Sequence, residues 1–349
     1  MRSPATWVVV GALLVIALVA AVDGLRGEPP ISPPSPETPT QRSPEGVRGP
    51  PPIDDRSAVA GELAVARIGG TLYVTDRDCR LWALDLPTLR WRAERSAPAP
   101  NCRFALSPTD RRALFGDADW APSGDLGAVE RDGRTEVSSV ASGWSFEFEG
   151  SEPAFRPDGT LTFVRDGELW GWVEGRCPPG AATVVFRSFG AEGAEERCAR
   201  VLLSRTNLRR AFRQGVAAVR DPSLSEAVWL DARTAVVLVQ GRVAGDGIAV
   251  LVNGEVRARQ AVFGGQVSDL EASPLGTRVA LRFGDTVFVF DRRLQDAGTR
   301  PGAGGAQAIA WPPNQRFTLV ATDSSVYVMR PGEPMIQIPV AVSDIAWAD

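Results

Sequence analysis

Four cysteines, two tyrosines and 42 carboxylates are the side chains with which this 349-residue chain could do covalent or acid–base chemistry. It has no histidine, and none of its 38 basic residues is lysine. That excludes the Ser-His-Asp and Cys-His nucleophile pairs, His-ligated zinc and the imidazole proton shuttle. It equally excludes the phosphate-loop lysine, the kinase lysine and a lysine Schiff base. A net charge of −4, with both signs interspersed along the chain, argues against a nucleic-acid partner. No catalytic, cofactor-binding or metal-ligating set can be assigned, and no cofactor is expected.

Cys79, Cys102, Cys177 and Cys198 lie 23, 75 and 21 residues apart, none at metal-ligand spacing. An even number points to disulfides in an exported domain, with four buried thiols as the alternative. Of the three connectivities, the local one is expected, Cys79 with Cys102 and Cys177 with Cys198. Each such loop would contribute about 3 kcal/mol.

Arg205, Arg209 and Arg213 fall on one stripe of a short helix expected within residues 201–215, with Arg210 beside them. Ser204 is a suitable N-cap, Gly215 a stop, and Leu208, Ala211 and Phe212 form the apolar side. The stripe is a candidate contact for an acidic partner or anionic lipid; the plainer reading is a solvated face. Asp117, Asp119 and Asp125 surround Trp120, a pattern closer to a turn than to a calcium loop with its terminal Glu. Trp170 and Trp172 alternate on one strand, where filling a core is more expected than stacking on a ligand. The run 301–307 (PGAGGAQ) lacks the lysine of a phosphate cradle and reads as a connection.

The elements that must position these residues are short strands in a repeat. Phe155, Trp229, Leu270 and Trp311 each precede a Pro-, Asp-, Asn- or Gly-containing turn, an alternating strand, a tight turn and a second strand. A weaker copy opens at Phe104. Asp166-Gly167, Asn253-Gly254, Gly284-Asp285 and Gly69-Gly70 have the composition hairpin turns require. The spacings from Trp229 to Leu270 and from Leu270 to Trp311 are both 41 residues, and from Trp311 to Trp347 36. A period near 40 without long helices means the blades of a β-propeller. Starts at 104, 155, 229, 270, 311 and 347 make an all-β, six-bladed β-propeller. The 74-residue interval from 155 to 229 leaves seven blades as the alternative, although an insertion carrying the short helix accounts for it. Residues 343–349 (SDIAWAD) open a repeat, while 61–76 (GELAVARIGGTLYVTD) read as repeat strands without an opening strand. The N- and C-terminal strands are therefore expected to close one blade together.

The sequence Phe155-Arg156-Pro157-Asp158-Gly159, with weaker versions at Ser273-Pro274-Leu275-Gly276 and Ser107-Pro108-Thr109-Asp110, resembles the WD40-like propeller repeat of TolB-type proteins. The resemblance covers most of residues 57–349 and leaves 177–226 poorly matched. It implies a six-bladed ring, extracytoplasmic in many members, that binds rather than catalyses. No ligand residues carry over from it.

Ahead of the repeats, residues 7–22 (WVVVGALLVIALVAAV) are uncharged and apolar apart from Gly11. Arg2 precedes them; Asp23, Arg26 and Glu28 follow. Residues 1–25 are expected to be an uncleaved signal-anchor with the rest of the chain outside the cytoplasm; secretion after cleavage near Ala21 and a misread core helix are the alternatives. Ten prolines among residues 28–52 make 26–56 a Pro-rich linker, read as a stalk rather than a peptide ligand for aromatic grooves. The propeller then occupies 57–349. The expected function is a membrane-tethered extracytoplasmic binding or scaffold module for a protein or cell-envelope ligand. A carboxylate-only enzyme resembling a glycoside hydrolase, with its site on the axis, is the alternative. Intact-mass measurement of the membrane fraction should find the N-terminal segment retained; a soluble product beginning near Val22 would defeat the anchor and keep export.

Overall fold

The computed structural model describes residues 49–173, 182–189, 194–213, 219–241, 246–262, 267–284, 286–297, 305–330 and 333–348. The expected anchor and most of the expected linker lie outside them. Among the described residues no helix is long and apolar enough to cross a membrane.

The chain starts with helix α1 (Arg56–Val65) and then builds antiparallel sheets around an axis. Blade 1 holds β1 (Gly70–Thr75), β2 (Leu81–Leu86) and β3 (Arg90–Arg95). A hairpin of β4 (Phe104–Leu106) and β5 (Ala113–Phe115) follows. Blade 2 consists of β6 (Ala118–Trp120), β7 (Leu126–Arg131), β8 (Arg134–Ser139) and β9 (Ser145–Glu149). Blade 3 has β10 (Ser151–Phe155), β11 (Leu161–Arg165) and β12 (Glu168–Val173). Its outer hairpin, β13 (Ala182–Phe189) and β14 (Ala194–Leu203), also pairs with β9. Helix α2 (Arg205–Ala211) leads to blade 4, β15 (Ser223–Trp229), β16 (Thr234–Gln240), β17 (Asp246–Val252) and β18 (Glu255–Val262). Blade 5 is β19 (Val267–Ala272), β20 (Arg278–Phe283) and β21 (Thr286–Asp291). Blade 6 is β22 (Ala306–Ala310), β23 (Thr318–Thr322), β24 (Val326–Met329) and β25 (Ile336–Ile338).

The last strand, β26 (Asp344–Ala348), pairs antiparallel with β1, Leu72 opposite Trp347 and Val74 opposite Ile345. It is the inner strand of blade 1, so the expected closure of the ring by chain-terminal strands is what the structure has. The six blades are those expected, with one reassignment. Phe104 opens only the two-stranded hairpin, and the full blade begins at Trp120, whose Ala121-Pro122-Ser123-Gly124 turn matches the repeat. Hairpin and blade 2 together fill the long interval between 104 and 155. The hairpin's β4 stands between β26 and β6, so the axis is lined by seven inner strands.

The apolar core is divided among the faces between neighbouring blades. Phe148 and Phe163 meet between blades 2 and 3, Leu169 and Val237 between 3 and 4, Val236 and Leu281 between 4 and 5. Trp170 and Trp172 pack into the first of these, Trp172 with its ring 5.0 Å from Phe146, as a core reading requires. The turns Asp166-Gly167 and Asn253-Gly254 have the positive φ angles expected of them, 54° and 71°, 53° and 79°. Asp285 lies outside the described residues.

Residues 61–65, read as strand, are helical. An apolar run this short does not distinguish the two, and Ala, Glu and Leu favour the helix. Val59 and Leu63 insert between blades 1 and 6, and the Arg330 guanidinium donates to the Ala66 carbonyl. Gly69-Gly70 is accordingly no hairpin turn. Gly70 has φ 131°, and a Cβ there would come within 2.3 Å of Trp347 Cζ2. The Trp347 indole lies over the bare backbone and meets Phe317 edge-on at 5.3 Å. Gly70→Ala should therefore cost about 2 kcal/mol or more, from strain and a displaced indole at the ring's closure. Urea denaturation measures it; an unchanged midpoint would contradict this account of the closing blade.

Candidate functional site

Each blade opens on an inner strand that runs the same way along the axis, and the repeat ends that strand on an aromatic or small residue. Counting back three residues from Trp120, Phe155, Trp229, Ala272 and Trp347 gives Asp117, Glu152, Glu226, Asp269 and Asp344. The same step from Trp311 gives Ala308, and from Leu106 in the hairpin it gives Arg103. All seven residues line one cavity on the axis, of about 490 Å³, and Asp119 and Glu271 line it two residues further along their strands. Trp229, Trp311 and Trp347 belong to its opposite end. The register of β10, β15, β19 and β22 shifts at Ser151/Ala154, Leu224/Glu226, Ser268/Glu271 and Ala306/Ala308. Such bulges re-aim side chains without ending the strand, and Glu152 and Asp269 take positive φ there.

Two kinds of contact hold the carboxylates. Some accept backbone N–H groups of a neighbouring strand: Asp344 Oδ2 from Phe104 (2.8 Å), Asp119 Oδ2 from Phe155 (2.6 Å) and Glu226 Oε1 from Leu270 (2.9 Å). Others face guanidinium groups. Arg103 donates from Nη1 to Asp117 Oδ1 at 2.6 Å and from Nη2 to Asp269 Oδ1 at 2.7 Å, which carries it from β4 to β19 across the mouth. Arg282 Nε holds the other oxygen of Asp269 at 2.6 Å.

Seven carboxylates against one arginine in the lining leave charge that low-dielectric walls do not accommodate. Burial pushes Asp119 up to about 6 against two backbone hydrogen bonds. Burial and the charges of Asp117 and Glu130 raise Glu152 to about 7, and Arg103 partly offsets them. Asp344 rises to about 7 by burial, opposed by the N–H groups of Phe104 and Ile345. Glu271, surrounded by the walls yet in contact with the cavity, rises to about 8 through burial and the charges of Asp119, Asp344 and Asp269. Burial and the Glu152 charge carry Glu226 well above its ordinary value. Arg103 loses by burial and gains more from its Asp117 hydrogen bond and the Asp269 charge, so its pKa rises. These raised values favour the protonated carboxyls near neutrality more than exposure to water would.

Of the polar residues singled out by sequence, Asp117 and Asp119 line the cavity and the others lie elsewhere. Cys79 and Cys102 form the expected disulfide, their Cα atoms 4.4 Å apart. It joins the β1–β2 turn to the residue preceding Arg103. Cys198 is disulfide-bonded too, and its expected partner Cys177 lies outside the described residues. Helix α2 has Ser204 as its N-cap, the hydroxyl accepting from Asn207 N at 3.2 Å, with Leu208 and Phe212 buried. Gly215 lies outside the described residues. On its polar side Arg209 and Arg205 converge on Asp221, at 2.7 and 3.9 Å, while Arg210 and Arg213 are exposed; none of the four lines the axial cavity. Asp119 belongs to inner strand β6 and not to a turn, whereas Asp117 lies in the bend that leads into it. Asp125, accepting from the Ser123 hydroxyl, lies in the turn that follows β6. The regular step back from each strand-ending residue is the signal that would have revealed the ring.

Native carboxyls with raised pKa bind protons that the unfolded chain has released. Folding stability should then fall as pH rises from about 4.5 towards 8. Glu271→Gln removes a carboxyl raised to about 8 and nearly keeps the side chain's shape. We expect a melting temperature several degrees above wild type at pH 8, and little difference at pH 5. Equal melting curves at both pH values would contradict a destabilising charge at Glu271.

No family model matches the sequence, and no curated protein does. Among solved structures, that of TolB from Acinetobacter baumannii is similar, with 15% identity over 84% of this chain and 72% of that chain and a TM-score of 0.45. By its own strand pairing, the chain is a six-bladed β-propeller.

Proposed function

We propose that the protein is a membrane-tethered, extracytoplasmic binding module whose axial cavity takes a cationic group of a protein or cell-envelope ligand. The observation that carries the reading is the lining itself, seven carboxylates and one arginine around a 490 Å³ opening. Walls of low dielectric focus that field, which attracts cations and repels anions. The apolar run at 7–22 and the prolines at 28–52 support a tether and stalk. The Cys79–Cys102 disulfide supports an oxidising compartment, since cytosolic thiols are kept reduced. The exposed arginines of α2 offer a second contact to an acidic part of the same partner, outside the cavity.

One observation favours a second reading, carboxylate hydrolysis of a glycoside. Glu152 and Glu271 have pKa values in the range of a general acid, near carboxylates held by arginine. Turnover of an aryl glycoside that is lost in Glu271→Gln would favour it over binding alone.

The binding reading is tested by calorimetric titration of the full chain in detergent with a tetra-arginine peptide. A tetra-glutamate peptide serves as control. Binding of the first alone is expected, weakening steeply with salt and abolished in Asp117→Asn/Glu226→Gln. Equal binding of both peptides, or of neither, would overturn it.

A further inference from the structure

Arg103 occupies the place in the ring that five other inner strands give to a carboxylate. We propose that its guanidinium is an internal competitor for the axial site, a gate that an incoming cation must displace. This rests on the cation-binding reading above and specifies how that site is regulated.

The geometry is that of a bar across the mouth. One guanidinium nitrogen reaches Asp117, just ahead of the adjacent strand β6, and the other reaches Asp269 on β19. In the order β26, β4, β6, β10, β15, β19, β22 around the axis, β4 and β19 stand on opposite sides. Arg103 thus engages the two carboxylates that a guanidinium or ammonium from outside would meet at the mouth. Half of its side chain is exposed, as are parts of Asp117, so the pairs are open to exchange with a solvent-borne cation. Its backbone is fixed more firmly than its side chain. The preceding Cys102 is cross-linked to Cys79, its carbonyl accepts from Thr75 Oγ1 at 2.7 Å, and Arg103 N donates to Asn101 Oδ1 at 2.9 Å. A rooted backbone with a half-exposed head lets the guanidinium swing aside without unpairing the hairpin. Asp269 keeps Arg282 when Arg103 leaves, so opening strips it of only one of its two arginines. Among the described residues Asp117 pairs with no second arginine, so it would take most of the incoming charge.

Titration of the full-length protein with tetra-arginine, compared with Arg103→Gln and Arg257→Gln, tests the gate. Arg257 lies on outer strand β18, paired with Glu255, so its loss changes net charge equally at a distance from the axis. We expect affinity at least tenfold higher in Arg103→Gln and unchanged in Arg257→Gln. Arg103→Lys keeps the charge but cannot bridge two carboxylates as a fork, and should fall between wild type and Arg103→Gln. Should Arg103→Gln fail to fold, the Lys variant decides by the same comparison. Equal or weaker binding in the Arg103 variants, or an equal gain in Arg257→Gln, overturns the gate while wild-type binding preserves the site. Binding by none of the proteins overturns the site and the gate with it.

Discussion

An inner propeller strand has one edge in its own sheet and the other turned to its neighbours, where backbone N–H groups must find acceptors. Carboxylates supply them here. Asp344 serves Phe104, Asp119 serves Phe155, and Glu226 serves Leu270, each joining one inner strand to the next around the axis. The ring of blades depends on these joints as much as on the β26–β1 pairing, because interblade apolar packing alone fixes no strand along the axis. Acidic residues are in this sense part of the frame before they are part of a site.

That frame creates an electrostatic problem. Joints at successive strands bring carboxylates to a common axis, and the walls that exclude water raise the cost of their charge. The structure meets this in two ways. Arginines enter where they can reach, Arg103 through the hairpin and Arg282 from blade 5. Elsewhere the protonated form takes over, as at Glu271 and Asp344. A cation entering such a cavity would have to displace a proton or an arginine from the carboxyl it meets.

Much of the fold was legible because it rests on local chemistry. Asp166-Gly167 and Asn253-Gly254 can adopt the φ values that most residues avoid, Ser204 caps a helix by its own hydroxyl, and Trp347 repeats the spacing of Trp229 and Trp311. Two local readings failed where one pattern suited two structures. The run 61–65 fits strand and helix alike, and its helix is decided by the gap between blades 1 and 6. Asp119 resembles a turn residue like its neighbours Asp117 and Asp125, which concealed the opening of blade 2 and moved its start to the hairpin. The site was less legible still. Register shifts turn Glu152 and Asp269 toward the axis, and no spacing within one repeat reveals a convergence that arises only when seven strands are set side by side.

Helix α1 sits between blades 1 and 6 on the side of the disc marked by Trp347 and Arg330, whereas Asp344 begins β26 at the other side. The helix and the carboxylate-lined end of the axis therefore lie on different faces of the ring. A bead or surface coupled through the exposed start of α1 would grip it from behind and present the acidic opening outward.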